Sequence, residues 1–299
     1  MVKTNNNQSA ESKTPSNGST PSPKLTLATV PSTVQKSIVT QVHIDTHLFE
    51  TLGLLHKTRQ EVYEVISVME DPSFADLVLQ GSNLSRYQRP QNICWELTER
   101  KLKPWGSLGM LLAVEVIKCM PFYSSLSSQD RLILLQGAAF KFHHLAIAFD
   151  SYSVNRTRVL TPYGDELFPK ILFCFPDCKE IIDELVTLPM EPLQELQINE
   201  REYLLIALIM VCNPALGGLS VDAQHILSRE QNNASRMLLK QCLLRDAGKG
   251  PARYAKMLAI SEHLNKQRKV MRRLNECLKG YKMNIPIPRI LREPCNMWD

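Results

Sequence analysis

The sequence predicts an all-α domain with one small β-hairpin. Three observations carry this reading. From Ile44 onward apolar residues recur at roughly three- and four-residue spacing, the period of one helix face. Capping residues precede several of these runs, and Pro or Gly follows them. Only Thr157–Leu160, followed by Thr161-Pro162-Tyr163-Gly164, reads as a strand and turn.

The elements follow in order. Residues 1–40 are rich in Ser, Thr, Asn, Pro and Lys, and cannot bury enough apolar surface to offset the entropy of ordering. They are expected to be a disordered tail or linker, with residues 41–299 forming the domain. Ile44, Leu48, Leu52, Leu55, Val62 and Ile66 mark a first helix that Asp45 could open and Asp71-Pro72 closes. A short apolar patch, Phe74 to Leu79, leads into a polar connection, then a helix over Ile93–Leu102. Trp105–Met120 is strongly apolar and stops at Pro121.

Ser127 is placed as an N-cap with Asp130 at the third helical position, opening a helix to Asp150 that is apolar around most of its circumference and therefore central. Further helices are expected over Cys178–Leu188, from the cap Asn199 to Cys212, from Ser220 or Asp222 to Arg245, and over Pro251–Leu278. The tail from Ile285 is interrupted by prolines.

Composition narrows the function classes. The 299 residues are 44% hydrophobic and 22% charged, an ordinary globular mix, and the net charge of +5 is too mild to argue for nucleic acid. The longest clean apolar run, Tyr203–Cys212, is half the length needed to cross a bilayer, and the N-terminus lacks an apolar signal segment, so no membrane association is expected. The eight cysteines include no Cys-x-x-Cys pair and suggest reduced thiols, not zinc sites. Neither a phosphate-cradling glycine loop nor a nucleophile–base–orienter set stands out, so neither a cofactor nor an enzyme activity is expected. His143 and His144 are neighbours in sequence, point about 100° apart on a helix and cannot chelate one metal together.

The segment EVIKCMPFYSSLSSQDRLILL, residues 115–135, resembles the signature of nuclear receptor ligand-binding domains, with Glu115, Lys118, Pro121, Tyr123, Leu126, Asp130, Leu134 and Leu135 at the matching positions. LQINEREYLLIALIMVCNPALGGL, residues 196–219, resembles a second stretch of that family through Asn213, Pro214, Gly218 and Leu219, with Ala215 where an Asp is usual. Tyr87-Gln88-Arg89, Trp95-Glu96 and Ala148–Ser151 look most like the retinoid-related orphan receptor and insect hormone receptor 3 branch.

The resemblance implies a three-layer helical sandwich, a nuclear location and a role in transcription. It also implies a groove for coactivator or corepressor helices, lined by Leu111, Val114, Lys118, Arg131, Leu132 and Leu135 and completed by Glu293 from a terminal helix. The physical basis is the helix dipole: a Lys faces the carbonyl end of the docked helix and a Glu its amide end. Ile290-Leu291-Arg292-Glu293 fits that terminal helix, whereas Pro294 disfavours its continuation. A lipophilic ligand, a sterol or another lipid, is expected among Leu102, Trp105, Leu108, Leu112, Phe140, His143, His144, Ile147, Val159 and Leu160. The usual Arg for a ligand carboxylate is replaced by Phe149-Asp150, which argues against a simple acid. The basic helix near 251–278 is where homo- or heterodimers with another receptor form. No zinc module for direct DNA contact is read in this chain, which leaves a second reading, a DNA-binding-deficient form acting as a dimerising antagonist.

Overall fold

The computed structural model describes residues 32–66, 71–87, 103–282 and 287–293, with side chains from Asp45 onward. The expected helix over 93–102, Leu102 and Pro294 lie outside the described residues. The chain divides into units 1–43 and 44–299, and the packing described below is that of the second.

Eleven α-helices are described: α1 Ser32–Val65, α2 Phe74–Val78, α3 Trp105–Lys118, α4 Ser128–Ser153, α5 Pro176–Thr187, α6 Glu191–Leu196, α7 Glu200–Val211, α8 Val221–Arg245, α9 Gly250–Leu258, α10 Ile260–Gly280 and α11 Arg289–Arg292. Single 3-10 turns form at Leu84–Tyr87, Pro121–Ser125 and Lys170–Cys174. The first helix starts well upstream of Asp45, the start read from the sequence. The expected single helix over Pro251–Leu278 is two helices broken at Ala259, where neither Gly nor Pro announces the break.

These helices form the three-layer sandwich. In the middle, α4 packs against α7, and α7 against α8. On one side α3 lies on α4, and α1 is joined to α4, α7 and α3 by named contacts: Arg59 to Asp150 at 2.5 Å, His56 edge-on to Phe149 and Tyr203, and the Tyr63 hydroxyl donating to the Trp105 carbonyl. On the other side α10 packs on α5 and α4, and α9 on α6 and α8. Among the described residues α4 is the one helix long and apolar enough to cross a membrane, and most of it is buried inside the fold. Its interior position follows from residues such as Leu134, Leu135, Ala139 and Ala148, which have no exposed surface; fully burying a Leu stabilises the fold by about 1.5–3 kcal/mol.

The helix starts rest on local chemistry. Ser127 accepts from the Asp130 amide, Ser220 from the Ala223 amide, and Asn199 and Glu202 exchange bonds in a capping box. Asp130 also reaches a second helix. Its carboxylate accepts from the Ser220 backbone N–H at 2.8 Å and the Ser220 hydroxyl at 2.9 Å, so one side chain ties the start of α4 to the start of α8. Burial works against its ionised form, but the hydrogen bonds from Ser127 and Ser220 outweigh that and hold its pKa below 3.8.

The expected hairpin is corrected: no strand occurs among the described residues. The turn is present, with the Gly164 N–H donating to the Thr161 carbonyl and Gly164 at φ +85°. The strand fails because other groups take its backbone partners. The Val159 N–H donates to Val186 at the end of α5, the Leu160 N–H to the Ser151 hydroxyl, and Arg156 donates to the carbonyls of Thr161 and Pro162.

Candidate functional site

Buried apolar side chains form two clusters. The larger joins α1–α4, α6–α9 and Ile290 of α11 with Val186 of α5 and Ile260 and Leu264 of α10; the smaller joins Leu172 with other residues of α5 and α10, including Ile182, Leu185 and Leu274. Between them lies a cavity of about 270 Å³, just below the roughly 300–1,000 Å³ usual for small-molecule sites. Its wall combines Phe140, His143, His144 and Ile147 of α4 with Val159, with Leu185 of α5, and with Met271 and Leu274 of α10. Ile287, Pro288 and Leu291 close it from the terminal segment.

Five residues expected at the ligand site border this cavity: Phe140, His143, His144, Ile147 and Val159. Trp105, Leu108, Leu112 and Leu160 do not. Trp105 meets Tyr63 and Tyr163 edge-on, and Leu108 and Leu112 are buried in the larger cluster. The contribution of α3 comes instead from its first turn, through Pro104, Gly106 and Ser107. The α10 wall was missed because helical periodicity marks a residue as inward-facing without saying whether it meets another side chain or a void.

The polar groups on this wall are few. The Nδ1–H of His144 donates to the Phe140 carbonyl at 2.9 Å, since a carbonyl can only accept, and this leaves Nε2 as an acceptor. Burial pushes the His144 pKa down to about 4, so the ring is neutral at pH 7. Burial pushes His143 down as well, with a further contribution from His144. Gln267 donates its Nε2 to the Leu185 carbonyl, while its Oε1 is buried with no hydrogen-bond partner. An unmet buried acceptor costs about 1–3 kcal/mol. Gly109 faces the same corner. A Cβ there would stand 2.3 Å from His143 Cε1, so glycine is what lets the ring approach α3. Asp150, where an acid-binding site would hold an Arg, is bonded to Arg59 and Gln60 of α1.

The structure also places the residues expected to line a coregulator groove. Leu111, Val114 and Leu135 are buried, Leu132 and Arg131 half-buried. Arg131 donates to the carbonyls of Tyr123 and Ser124, and its guanidinium lies 5.1 Å from the Tyr123 ring centre. The Lys118 side chain is only 1% exposed and pairs with the equally buried Glu115 at 3.0 Å. Glu115 in turn accepts from the Asn83 N–H and the Ser82 hydroxyl. Glu293, just after α11, accepts from the Phe74 N–H, the first amide of α2, at 3.0 Å. Of the two groups expected at opposite ends of a docked helix, Glu293 is therefore engaged directly with the chain's own 73–83 segment, and Lys118 is paired with the Glu115 that holds Ser82 and Asn83. No group of three or more His, Cys, Asp or Glu side chains suited to a metal occurs among the described residues.

Fold and cavity together define a class: three-layer helical domains built around an internal apolar chamber that a short terminal helix borders. Residues 96–279 match the family model for the ligand-binding domain of nuclear hormone receptors. The chain is 50% identical over 288 residues to nuclear hormone receptor family member nhr-124 of Caenorhabditis elegans, an alignment covering 96% of this chain and 76% of that protein. It is 30% identical over 200 residues to member nhr-52 and 29% over 198 residues to member nhr-9 of the same organism, each alignment covering 66% of this chain. The chain spans 58% and 57% of those two proteins. It belongs to the nuclear hormone receptor ligand-binding domain family, and membership implies a role in transcription regulation.

Proposed function

We propose that this chain is the regulatory domain of a nuclear receptor that takes up a small uncharged lipophile and reports its presence to a coregulator surface. The observation that carries this is the double engagement of one short segment. Leu291 borders the cavity, and Glu293, two residues on, binds the first amide of a helix at the groove. A ligand that packs better against the docked form of α11 shifts the population toward a set position of Glu293. The wall chemistry selects the ligand class. The neutral His144 acceptor suits a hydroxyl donor on a compact apolar body, a small lipid, and repels a carboxylate.

The partners in this reading are coactivator or corepressor helices and a second receptor. For the dimer surface, Leu244 of α8 and Leu258 of α9 offer exposed apolar side chains, while Met257, Leu264, Leu274 and Leu278 turn inward. The domain acts in the nucleus and leaves direct DNA contact to other modules. A place near the retinoid-related orphan receptor and insect hormone receptor 3 branch rests on short strings, of which Ala148 and Phe149 are core residues.

The test pairs native mass spectrometry of the purified chain with peptide titrations. A co-purifying neutral lipid, lost in His144→Phe, together with binding of a labelled Leu-x-x-Leu-Leu or corepressor peptide, is expected. The proposal fails if no small molecule is retained and neither peptide binds below millimolar concentration, with or without lipid extract.

A further inference from the structure

We propose that residues 73–83 are a built-in occupant of the groove between α3 and α4, which a coregulator helix must displace in order to dock. This rests on the coregulator reading above and adds a regulatory device to it. The first support is pattern. Phe74-Ala75-Asp76-Leu77-Val78 places apolar residues at the first, fourth and fifth positions of one helical turn, so that all three share a face. Phe74, Leu77 and Val78 are 0%, 3% and 7% exposed, whereas Ala75 and Asp76 face solvent. Those three side chains belong to the same cluster as the groove residues Leu111, Val114 and Leu135.

The second support is placement. α2 packs on α4, and Ser82 and Asn83 bond to Glu115 of α3, so the segment bridges the two helices that form the groove. One end is held by Glu293, the carboxylate expected to hold a partner, and the other by Glu115, the ion partner of Lys118. Glu293 accepts from the Phe74 N–H, and Arg289 stands 3.6 Å from Asp76. At the other end Glu115 holds Ser82 and Asn83 and draws Lys118 inward. Groove residues open to solvent would be exposed; here Val114 and Leu135 have no exposed surface and Lys118 almost none.

The third support is energetic. A helix of five residues has no stability of its own, since isolated helices need about 12–15 residues to form. Its capping box, Ser73 with Asp76, satisfies only its first turn. α2 exists because the groove holds it, and an incoming helix of the same apolar pattern competes for the same contacts. The apparent affinity for that helix is lowered by the fraction of molecules in which the groove is free.

The experiment measures binding of a labelled Leu-x-x-Leu-Leu peptide by fluorescence anisotropy to the whole chain and to a Phe74→Ser, Leu77→Ser double variant. Hydrogen exchange at the amides of residues 74–83 is followed in the unmodified chain with and without saturating peptide. The expected result is about tenfold tighter binding by the variant, which corresponds to a groove free about a tenth of the time, and faster exchange at 74–83 when peptide is bound. Equal affinities in a variant whose thermal melting shows it folded, or unchanged exchange at saturation, overturn the built-in occupant and leave the coregulator reading standing. Should the variant fail to fold, the exchange measurement on the unmodified chain decides. Absence of binding to both proteins overturns the coregulator reading itself, and the proposal with it.

Discussion

Replacing Asp130 with Ala tests whether the tie between α4 and α8 is as strong as its geometry implies. The carboxylate accepts from the Ser127 hydroxyl at 2.6 Å and from the Ser220 amide and hydroxyl at 2.8 and 2.9 Å. Hydrogen bonds to a charged group contribute about 1.5–3 kcal/mol each when measured singly, but three that share one carboxylate do not add. After truncation the Ser127 cap survives, because its hydroxyl still accepts from the residue 130 amide. The Ser220 amide loses its acceptor. A net loss of about 3 kcal/mol follows, equivalent to a fall in Tm of roughly 6–12 °C for a domain of this size.

Differential scanning calorimetry at pH 7 measures this, and Asp130→Asn supplies the control. Asn keeps the shape but cannot accept from all three donors, and it does not titrate. The folded pKa of Asp130 lies below its ordinary 3.8, so its contribution is present above that value and is lost as pH falls through the folded pKa. The acid-side loss of stability should therefore be shallower in Asp130→Asn than in the unmodified chain. A loss under 0.5 kcal/mol in Asp130→Ala, or an unchanged acid slope in Asp130→Asn, would refute the tie.

Other outcomes follow from the same structure. Arg59→Ala leaves Asp150 without its ion partner; because Asp150 is 23% exposed and keeps Gln60, the cost should be about 2 kcal/mol, below the 3–5 of a fully buried pair, as read by urea denaturation. Gly109→Ala gains about 1 kcal/mol of helix propensity but drives a Cβ into His143, an overpacking cost of about 1–3 kcal/mol, so a net destabilisation and a displaced His143 resonance are expected by NMR. His144, held near 4 in the fold against 6.5 when unfolded, makes the folded state lose stability as pH falls below 6.5, by about 2 kcal/mol between pH 7 and pH 4.5; His144→Phe should flatten that part of the Tm-against-pH curve.

How far the sequence could be read depends on the range of the interaction concerned. Ser127, Asn199 and Ser220 were legible as caps because a cap needs only its own side chain and an amide three residues on. The family signature was legible at Asp130, but not its reason, since Ser220 lies 90 residues away. α2 passed as an apolar patch because one helical turn is too short to establish a period. Lys118 could be assigned a position, yet its inward turn depends on Glu115 being recruited by Ser82 and Asn83, a contact across the intervening chain. The cavity wall was legible on α4 and not on α10, where Gln267 and Met271 look like any inward residues of an amphipathic helix. The failed hairpin shows the same limit, because Val159 has strand propensity but its N–H is taken by Val186.

The terminal segment 287–293 has a thermodynamic consequence. Three of its residues border the chamber, and its last carboxylate holds the start of α2. Two equilibria, filling of the chamber and release of α2, therefore share one mechanical element, and linkage makes their interaction reciprocal. Whatever factor a chamber ligand applies to peptide affinity, the peptide must return to the ligand. A single ratio, measured from either side, would then describe how strongly this domain listens to small molecules.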